Sequence, residues 1–256
     1  MTPRLAGRRA LVTGAGGAIG RAAALAFARE GAAVAVLDVV GEAAEETVRL
    51  VREQGGTAVP LVADVGDEEQ VQAAVATAVA ALGGLDTLFA NAGVMPHADV
   101  SFLDADLGSW TAIAGTNLHG TVLCSKHAVP HLVAAGGGAV VTMSSFLVGQ
   151  GCTVPQDAYA ASKGAIAALT VSMAAQLGRH GIRVNALAPG PIATAHVEHF
   201  FPDAEARALR LARIPMGRFG TPEDAAELAV FLASDAASWL TGQVIVLDGG
   251  ISAFYL

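Results

Sequence analysis

Cysteine is nearly absent from this 256-residue chain, which holds only Cys124 and Cys152. Two thiols make no disulfide framework, and a reducing cytoplasm is the setting they fit. Charge is scarce too, at 15% of residues, and its balance is −8. No run of Lys or Arg stands out, so binding to a nucleic-acid backbone is disfavoured. Long apolar runs are missing as well. None reaches the ~20 residues a membrane span needs, and Gly31–Val40 is interrupted by Asp38. Arg8-Arg9 ahead of apolar residues could pass for a twin-arginine export signal. Ala10-Leu11-Val12 reads better as a buried strand that runs into a glycine turn. Tyrosine and lysine occur twice each, and the other 13 of the 15 basic residues are arginines.

What is present points to a folded core. Hydrophobic residues make up 53% of the chain, which with so little charge excludes disorder. Short apolar runs alternate with Ala- and Leu-rich helical stretches. The expected strands are Ala10–Thr13, Ala33–Leu37, Ala58–Val62, Thr87–Ala90, Ala139–Met143, Arg183–Leu187 and Gln243–Leu247. The expected helices are Ile19–Arg29, Glu42–Gln54, Glu68–Leu82, Leu107–Ala134, Ala158–Leu177 and Pro222–Ala233. Strands that are apolar nearly throughout are covered on both faces. The expected fold is therefore a single α/β domain over residues 1–256, a Rossmann-type doubly wound parallel sheet of about seven strands with helices on both faces. One segment breaks the rhythm. Residues 195–216 carry His196, His199, Phe200, Phe201 and Pro202 before a short charged helical stretch, and they read as a substrate lid.

The first strand ends in Thr13-Gly14-Ala15-Gly16-Gly17-Ala18-Ile19-Gly20, where a helix begins. Glycines allow a tight turn close to a pyrophosphate, and the helix start offers free N–H groups and a positive dipole end. The strict G-x-G-x-x-G spacing is not met, because its last position falls on Ile19. Asp38 ends the second strand, 18 residues after Gly20. An acid there accepts from both ribose hydroxyls and repels a 2′-phosphate, and no Arg follows to compensate, which favours NAD over NADP. Asp64-Val65 after the third strand and Asn91-Ala92-Gly93 after the fourth fall at the same carboxyl edge of the sheet.

Tyr159 and Lys163 stand four apart. A chance pairing at that spacing is on the order of 1–2 percent. Both side chains fall on one helix face among small neighbours. A nearby ammonium favours the phenolate, so such a tyrosine can take an alcohol proton while hydride leaves the carbon, or protonate a ketone in reverse. Ser144-Ser145 ends the fifth strand, and a serine there can orient the substrate oxygen. The residues alone leave open which of the two serves.

With the Thr-Gly turn, Asn91-Ala92-Gly93, Thr116-Asn117-Leu118, Ser144-Ser145, Tyr159-x-x-x-Lys163, Pro189-Gly190-Pro191-Ile192 and Thr241-Gly242-Gln243 through Asp248-Gly249-Gly250, the chain resembles the short-chain dehydrogenase/reductase family over nearly its whole length. The resemblance implies a catalytic tetrad of Asn117, Ser145, Tyr159 and Lys163, with Asn117 holding a water that links Lys163 to solvent. It also implies that Pro189, Gly190, Ile192 and Thr194 border the nicotinamide end of NAD, and that the chain assembles as a homotetramer. The chain departs from the family at Ala18, where glycine is usual, and at Ala90, where Asn is often seen. The Ser145–Tyr159 interval is about one residue long for the family, so the loop over 146–157 is expected to be locally rebuilt.

The expected substrate wall is Met95, His97, Phe146, Cys152, His196 and Phe200, mostly apolar with a few polar points. This suits a moderately hydrophobic secondary alcohol or ketone. His196 and His199 lack Cys or carboxylate partners, so no metal is expected. The final Phe254-Tyr255-Leu256 is apolar for a free tail and is expected to pack on the body or a partner subunit. An NADPH-dependent 3-oxoacyl-type reductase and a non-catalytic NAD-binding regulatory protein remain as alternatives. Asp38 weighs against the first and the complete tetrad against the second.

Overall fold

The computed structural model describes residues 3–95, 99–151, 154–194 and 203–253. Seven strands form one parallel sheet in the order β3-β2-β1-β4-β5-β6-β7. They are β1 (Arg9–Thr13), β2 (Ala33–Asp38), β3 (Thr57–Val62), β4 (Thr87–Ala90), β5 (Gly138–Met143), β6 (Ile182–Pro189) and β7 (Val244–Leu247). Each coincides with an expected apolar run to within about two residues at either end. β4 is buried at every position and β1 and β5 at all but the first, whereas the edge strand β3 has three exposed residues, Thr57, Pro60 and Val62. The central strands are covered on both faces, so they need apolar residues throughout.

The helices are α1 (Ala18–Arg29), α2 (Gly41–Glu53), α3 (Glu68–Leu82), α4 (Leu107–Ala114), α5 (Gly120–Ala134), α6 (Asp157–Leu177), α7 (Ala204–Leu211) and α8 (Pro222–Ala233). One layer packs Ala23, Ala24 and Phe27 of α1 with Ala225, Ala229 and Val230 of α8 over Ala10 and Val12 of β1. The opposite layer packs α3, α5 and α6 over Leu11 and Leu88. Period-2 alternation sends neighbouring residues of β1 into different layers. Alanine-lined faces let α1 and α8 approach closely.

The chain runs outward from β1 through β2 to β3, then returns to place β4 on the other side of β1. That reversal opens a crevice at the carboxyl ends of β1 and β4, the usual ligand position in such sheets.

The expected single helix over 107–134 is not one helix. Its middle, Gly115–His119, winds as a π-helical turn between α4 and α5. Such a turn inserts a residue into the i→i+4 ladder, and it tends to lie at functional positions. Residue periodicity cannot see it, because one extra residue barely disturbs an apolar pattern. Of the expected lid, residues 203–216 are described, and α7 is its charged helical stretch. Asp203 caps α7 by accepting from the Ala206 N–H at 2.8 Å.

Candidate active site

A cleft of about 1020 Å³ runs along the carboxyl ends of the central strands. Its first end is built by glycine. Gly14 has a φ of +62°, and a Cβ there would lie 2.9 Å from Ala92 Cα. A Cβ on Gly20 would lie 2.2 Å from the Gly14 carbonyl oxygen. Only hydrogen fits at either position, so the start of α1 lies directly on the turn. Thr13 ties this turn to the next strand end: its hydroxyl accepts from the Asn91 and Ala92 N–H groups, both at 3.0 Å. The Asn91 side chain donates back to the Thr13 carbonyl at 2.9 Å. Gly17 caps α1 without a side chain, leaving the first N–H groups of the helix open to the cleft. That is the chemistry an anionic pyrophosphate requires.

Asp38 lines the same end. Its carboxylate accepts from the Gly16 N–H at 2.9 Å and from the Val40 N–H at 3.0 Å, so it is held at the lip of the glycine turn. A Cβ on Gly16 would meet that carboxylate at 3.0 Å. Gly14, Gly16, Gly17, Ile19, Gly20, Asn91, Ala92 and Gly93 all line the cleft, and so do Pro189, Gly190, Ile192 and Thr194 at the far edge. Asp64 and Val65 do not. Asp64 is exposed and accepts from the Gly66 N–H at 2.8 Å, while Val65 is buried beside Gly120. Ala18 sits at the first turn of α1 in ordinary backbone, since no described residue other than glycine has a positive φ. Its methyl group is exposed and meets no conformational obstacle.

At the second end, Tyr159 and Lys163 come from the first turns of α6. Lys163 is 2% exposed, and its ammonium lies 5.6 Å from the centre of the Tyr159 ring. It donates to the Met143 carbonyl at 2.8 Å. Burial pulls the Lys163 pKa down to about 8. Burial also raises the Tyr159 pKa, and a hydrogen bond with the Ser145 side chain opposes that rise. Ser144 turns the other way, its hydroxyl donating to the Lys163 carbonyl at 3.0 Å. The geometry thus separates the two serines: Ser145 faces the phenol and Ser144 braces the helix.

Asn117 lies in the π-helical turn and is fully buried. Its side chain accepts from the Val94 N–H at 2.7 Å and donates to the Val94 carbonyl and the Ser162 hydroxyl, both at 3.0 Å. It fastens the loop after β4 to α6. Gly93 closes this corner, where a Cβ would meet Asn117 Oδ1 at 3.2 Å and Lys163 Nζ at 3.3 Å.

Two participants escaped the sequence reading. Asp99 is buried, and its carboxylate accepts from the N–H groups of Ala158 at 3.1 Å and Tyr159 at 2.8 Å. It caps α6 from about sixty residues away, while the local cap residue Gln156 makes no side-chain cap bond. No local spacing signals such a cap. Asp157 returns the clasp by accepting from the Phe102 N–H at 2.8 Å. Arg210 of α7 also lines the cleft, with its guanidinium 5.8 Å over the Phe146 ring. The charged stretch in the lid was its only sign. Met95 and Phe146 line the cleft. Phe146 opens a 3₁₀ turn over Phe146–Gly149, directly after Ser145. The expectations for His97, Cys152, His196 and Phe200, and for the tail Phe254–Leu256, fall outside the described residues.

Comparison with known proteins decides the family. A family model described as enoyl-(acyl carrier protein) reductase matches residues 14–252. The chain belongs to the short-chain dehydrogenases/reductases. It is 43% identical to a cis-4-hydroxycyclohexanecarboxylate dehydrogenase of Sinomonas cyclohexanicum, over 99% of this chain and 100% of that one. It is 39% identical to a 3-oxoacyl-(acyl-carrier-protein) reductase of Thermotoga maritima, over 97% and 99% of the two chains. Among solved structures, a 7α-hydroxysteroid dehydrogenase complexed with NADH and 7-oxo glycochenodeoxycholic acid superposes with a TM-score of 0.92 at 34% identity, covering 97% of this chain and 96% of that one. Membership makes this chain an oxidoreductase with a nicotinamide-type cofactor site. Among the described residues, no helix is long and apolar enough to cross a membrane.

Proposed function

We propose that this short-chain dehydrogenase/reductase interconverts a secondary alcohol and its ketone using NAD(H), with Tyr159 as general acid and base. The observation that carries the reading is the Ser145–Tyr159–Lys163 cluster, opening into the cleft whose other end is the glycine turn and Asp38. The cradle suits a dinucleotide: it is lined by positions where a Cβ would collide, and it presents open helix N–H groups. Gly14, Gly16, Gly17, Ile19 and Gly20 would hold the pyrophosphate, Asp38 the adenosine ribose, and Pro189, Gly190, Ile192 and Thr194 the nicotinamide end. When bound, NAD supplies a two-electron hydride acceptor.

The chain's own groups supply the rest. Ser145 donates to the substrate oxygen and fixes it beside the phenol. Burial makes the Tyr159 phenol resist ionisation and raises its pKa. The adjacent Lys163 charge offsets that resistance when the proton must leave. Lys163 remains largely protonated at neutral pH with a pKa of about 8. Asn117 ties the loop over Lys163 to the helix that carries it, and a water held there would connect the ammonium to solvent. In the ketone direction the same phenol gives its proton to the oxygen. The hydroxycyclohexanecarboxylate and hydroxysteroid named for the relatives favour a ring alcohol. A homotetramer belongs to the same reading, supported by Trp239, which is 99% exposed just before the edge strand β7. So does a cytoplasmic setting, supported by the low cysteine content.

The relative named as a 3-oxoacyl reductase favours a second reading, reduction of a 3-oxoacyl thioester. One experiment separates the two: initial rates with NAD(H) and NADP(H) over ring alcohols, ring ketones and a 3-oxoacyl thioester, with Asp38→Ser alongside. The expected result is ring-alcohol oxidation with a preference for NAD of about tenfold or more, lost in Asp38→Ser. A tenfold preference for NADP would overturn the cofactor assignment. Faster reduction of the thioester than of any ring ketone would favour the second reading.

A further inference from the structure

The substrate side of the cleft is apolar: Val94, Met95, Phe146, Leu147 and Val154 line it. Among the described lining residues, the cations are Lys163 and Arg210. Lys163 is committed to the proton chemistry and to the Met143 carbonyl. Arg210 reaches the cleft from α7, on the lid side. Its guanidinium lies over the face of Phe146, and Phe146 directly follows the serine that faces Tyr159. A cation is thus held in the cleft, over the apolar wall that begins directly after Ser145. The chain as a whole carries −8, so this local cation is not part of a general positive surface.

Guanidinium chemistry narrows what it can meet. Stacking on a ring uses the flat face and keeps the edge N–H donors in a planar fork. That fork matches the two oxygens of a carboxylate, and it can serve a ligand while keeping a protein partner. We propose that the natural substrate is a secondary alcohol on an apolar frame that also carries a carboxylate, and that Arg210 binds this carboxylate while Ser145 and Tyr159 hold the hydroxyl. The inference rests on the alcohol-oxidation reading above and adds the substrate class. It makes Arg210 a specificity-determining residue.

The test compares wild type, Arg210→Lys and Arg210→Met on 3- and 4-hydroxycyclohexanecarboxylate, their methyl esters and cyclohexanol. The expected result is a wild-type preference for acid over ester in kcat/KM of about 10–100-fold. That ratio collapses toward one in Arg210→Met and is partly kept in Arg210→Lys. Equal wild-type rates on acid and ester would overturn the proposal, as would an Arg210→Met loss that leaves the ratio intact. Loss of NAD affinity in Arg210→Met with the ratio intact would reassign the guanidinium to the cofactor phosphates. Calorimetric titration of NAD-loaded Tyr159→Phe with the same acids and esters reads binding without turnover. If no alcohol is oxidised, the functional reading fails. Acid binding that depends on Arg210 would then still support the carboxylate site, and absence of binding would end it.

Discussion

The two ends of the cleft are built on opposite principles. At the cofactor end the walls are backbone. Gly14, Gly16 and Gly20 admit nothing larger than hydrogen, and Thr13 and Asn91 lock neighbouring strand ends together. At the substrate end the walls are side chains on short or exposed elements. The 3₁₀ turn after Ser145 has no buried residue and neither does α7, where Leu209 is 65% exposed. Backbone walls tolerate almost no variation and suit a ligand that never changes. Side-chain walls on weakly packed elements can be exchanged, and they suit a ligand that differs from one relative to the next. Between the two ends sits α6, which carries the proton chemistry and is anchored from both directions.

The largest effect should come from that junction. Tyr159→Phe removes the proton-transfer group and little else, because the ring still fills its place. Turnover should fall by about 10²–10⁴-fold, while NAD affinity, read by fluorescence titration, stays close to wild type. Comparable turnover in the variant would remove Tyr159 from the chemistry. Lys163 gives the next effect, seen in stability. Its folded pKa of about 8 lies below the ordinary 10.5, so the unfolded chain binds more protons between those values. Stability therefore rises as pH climbs from 8 toward 10, and the penalty is fully present below 8. Above about 10 the raised Tyr159 pKa acts in the opposite sense. Lys163→Met should thus be more stable than wild type at pH 7, on the order of 1–3 kcal/mol, with the gap narrowing at pH 9.5. Denaturant midpoints at the two pH values check this, and a gap that does not narrow would count against the buried ammonium.

Glycine tests the contrast between the ends directly. Gly20→Ala places a methyl group 2.2 Å from the Gly14 oxygen and 2.7 Å from the Asn91 amide nitrogen. It should cost about 1–3 kcal/mol and weaken NAD binding at the same time. Leu209→Ala on the lid should stay within about 0.5 kcal/mol and leave NAD binding alone. Equal costs at the two positions would erase the distinction between a rigid end and an adaptable one.

The contrast also explains what could be read in advance. Strands buried on both faces must be apolar throughout, so β1, β2, β4, β5 and β6 declare themselves. The glycine turn and Asp38 are legible because one backbone requirement forces residue type and spacing together. Tyr159 and Lys163 are legible because both sit on one helix, four residues apart. Asp99 was invisible, since its partners lie about sixty residues away and a lone acid after β4 carries no periodic mark. The π-helical turn around Asn117 was invisible for the opposite reason: its apolar pattern runs on smoothly through the distortion. Arg210 was visible only as charge in a lid, because the direction of a side chain on a short surface helix is set by tertiary packing. The family resemblance supplied Asn117 and the nicotinamide border, which no local pattern yields.

Asp99 offers a finer probe of how α6 is held. Asp99→Ala leaves the N–H groups of Ala158 and Tyr159 without their acceptor, a loss of about 1–2 kcal/mol for a helix cap. The Tyr159 backbone should then relax, lowering kcat more than it raises KM. Asp99→Asn keeps one acceptor oxygen and should recover much of kcat. A variant that loses stability with kcat untouched would reduce Asp99 to a structural cap.

The smallest expected effect is at Ala18, the one departure inside the cofactor turn. If the backbone walls were uniformly intolerant, a methyl group here would obstruct the pyrophosphate, and Ala18→Gly would tighten NAD binding. The structure argues the reverse. Ala18 is the first helical residue after Gly17, its side chain is exposed, and its φ is not in the glycine region. What the phosphate meets there is the helix N–H array, which the substitution leaves in place. Ala18→Gly should therefore leave NAD affinity unchanged and lower stability by about 0.5 kcal/mol or less through added freedom in the unfolded chain. An affinity gain approaching tenfold would show that the strict end of the cleft extends one residue further into α1 than its geometry indicates.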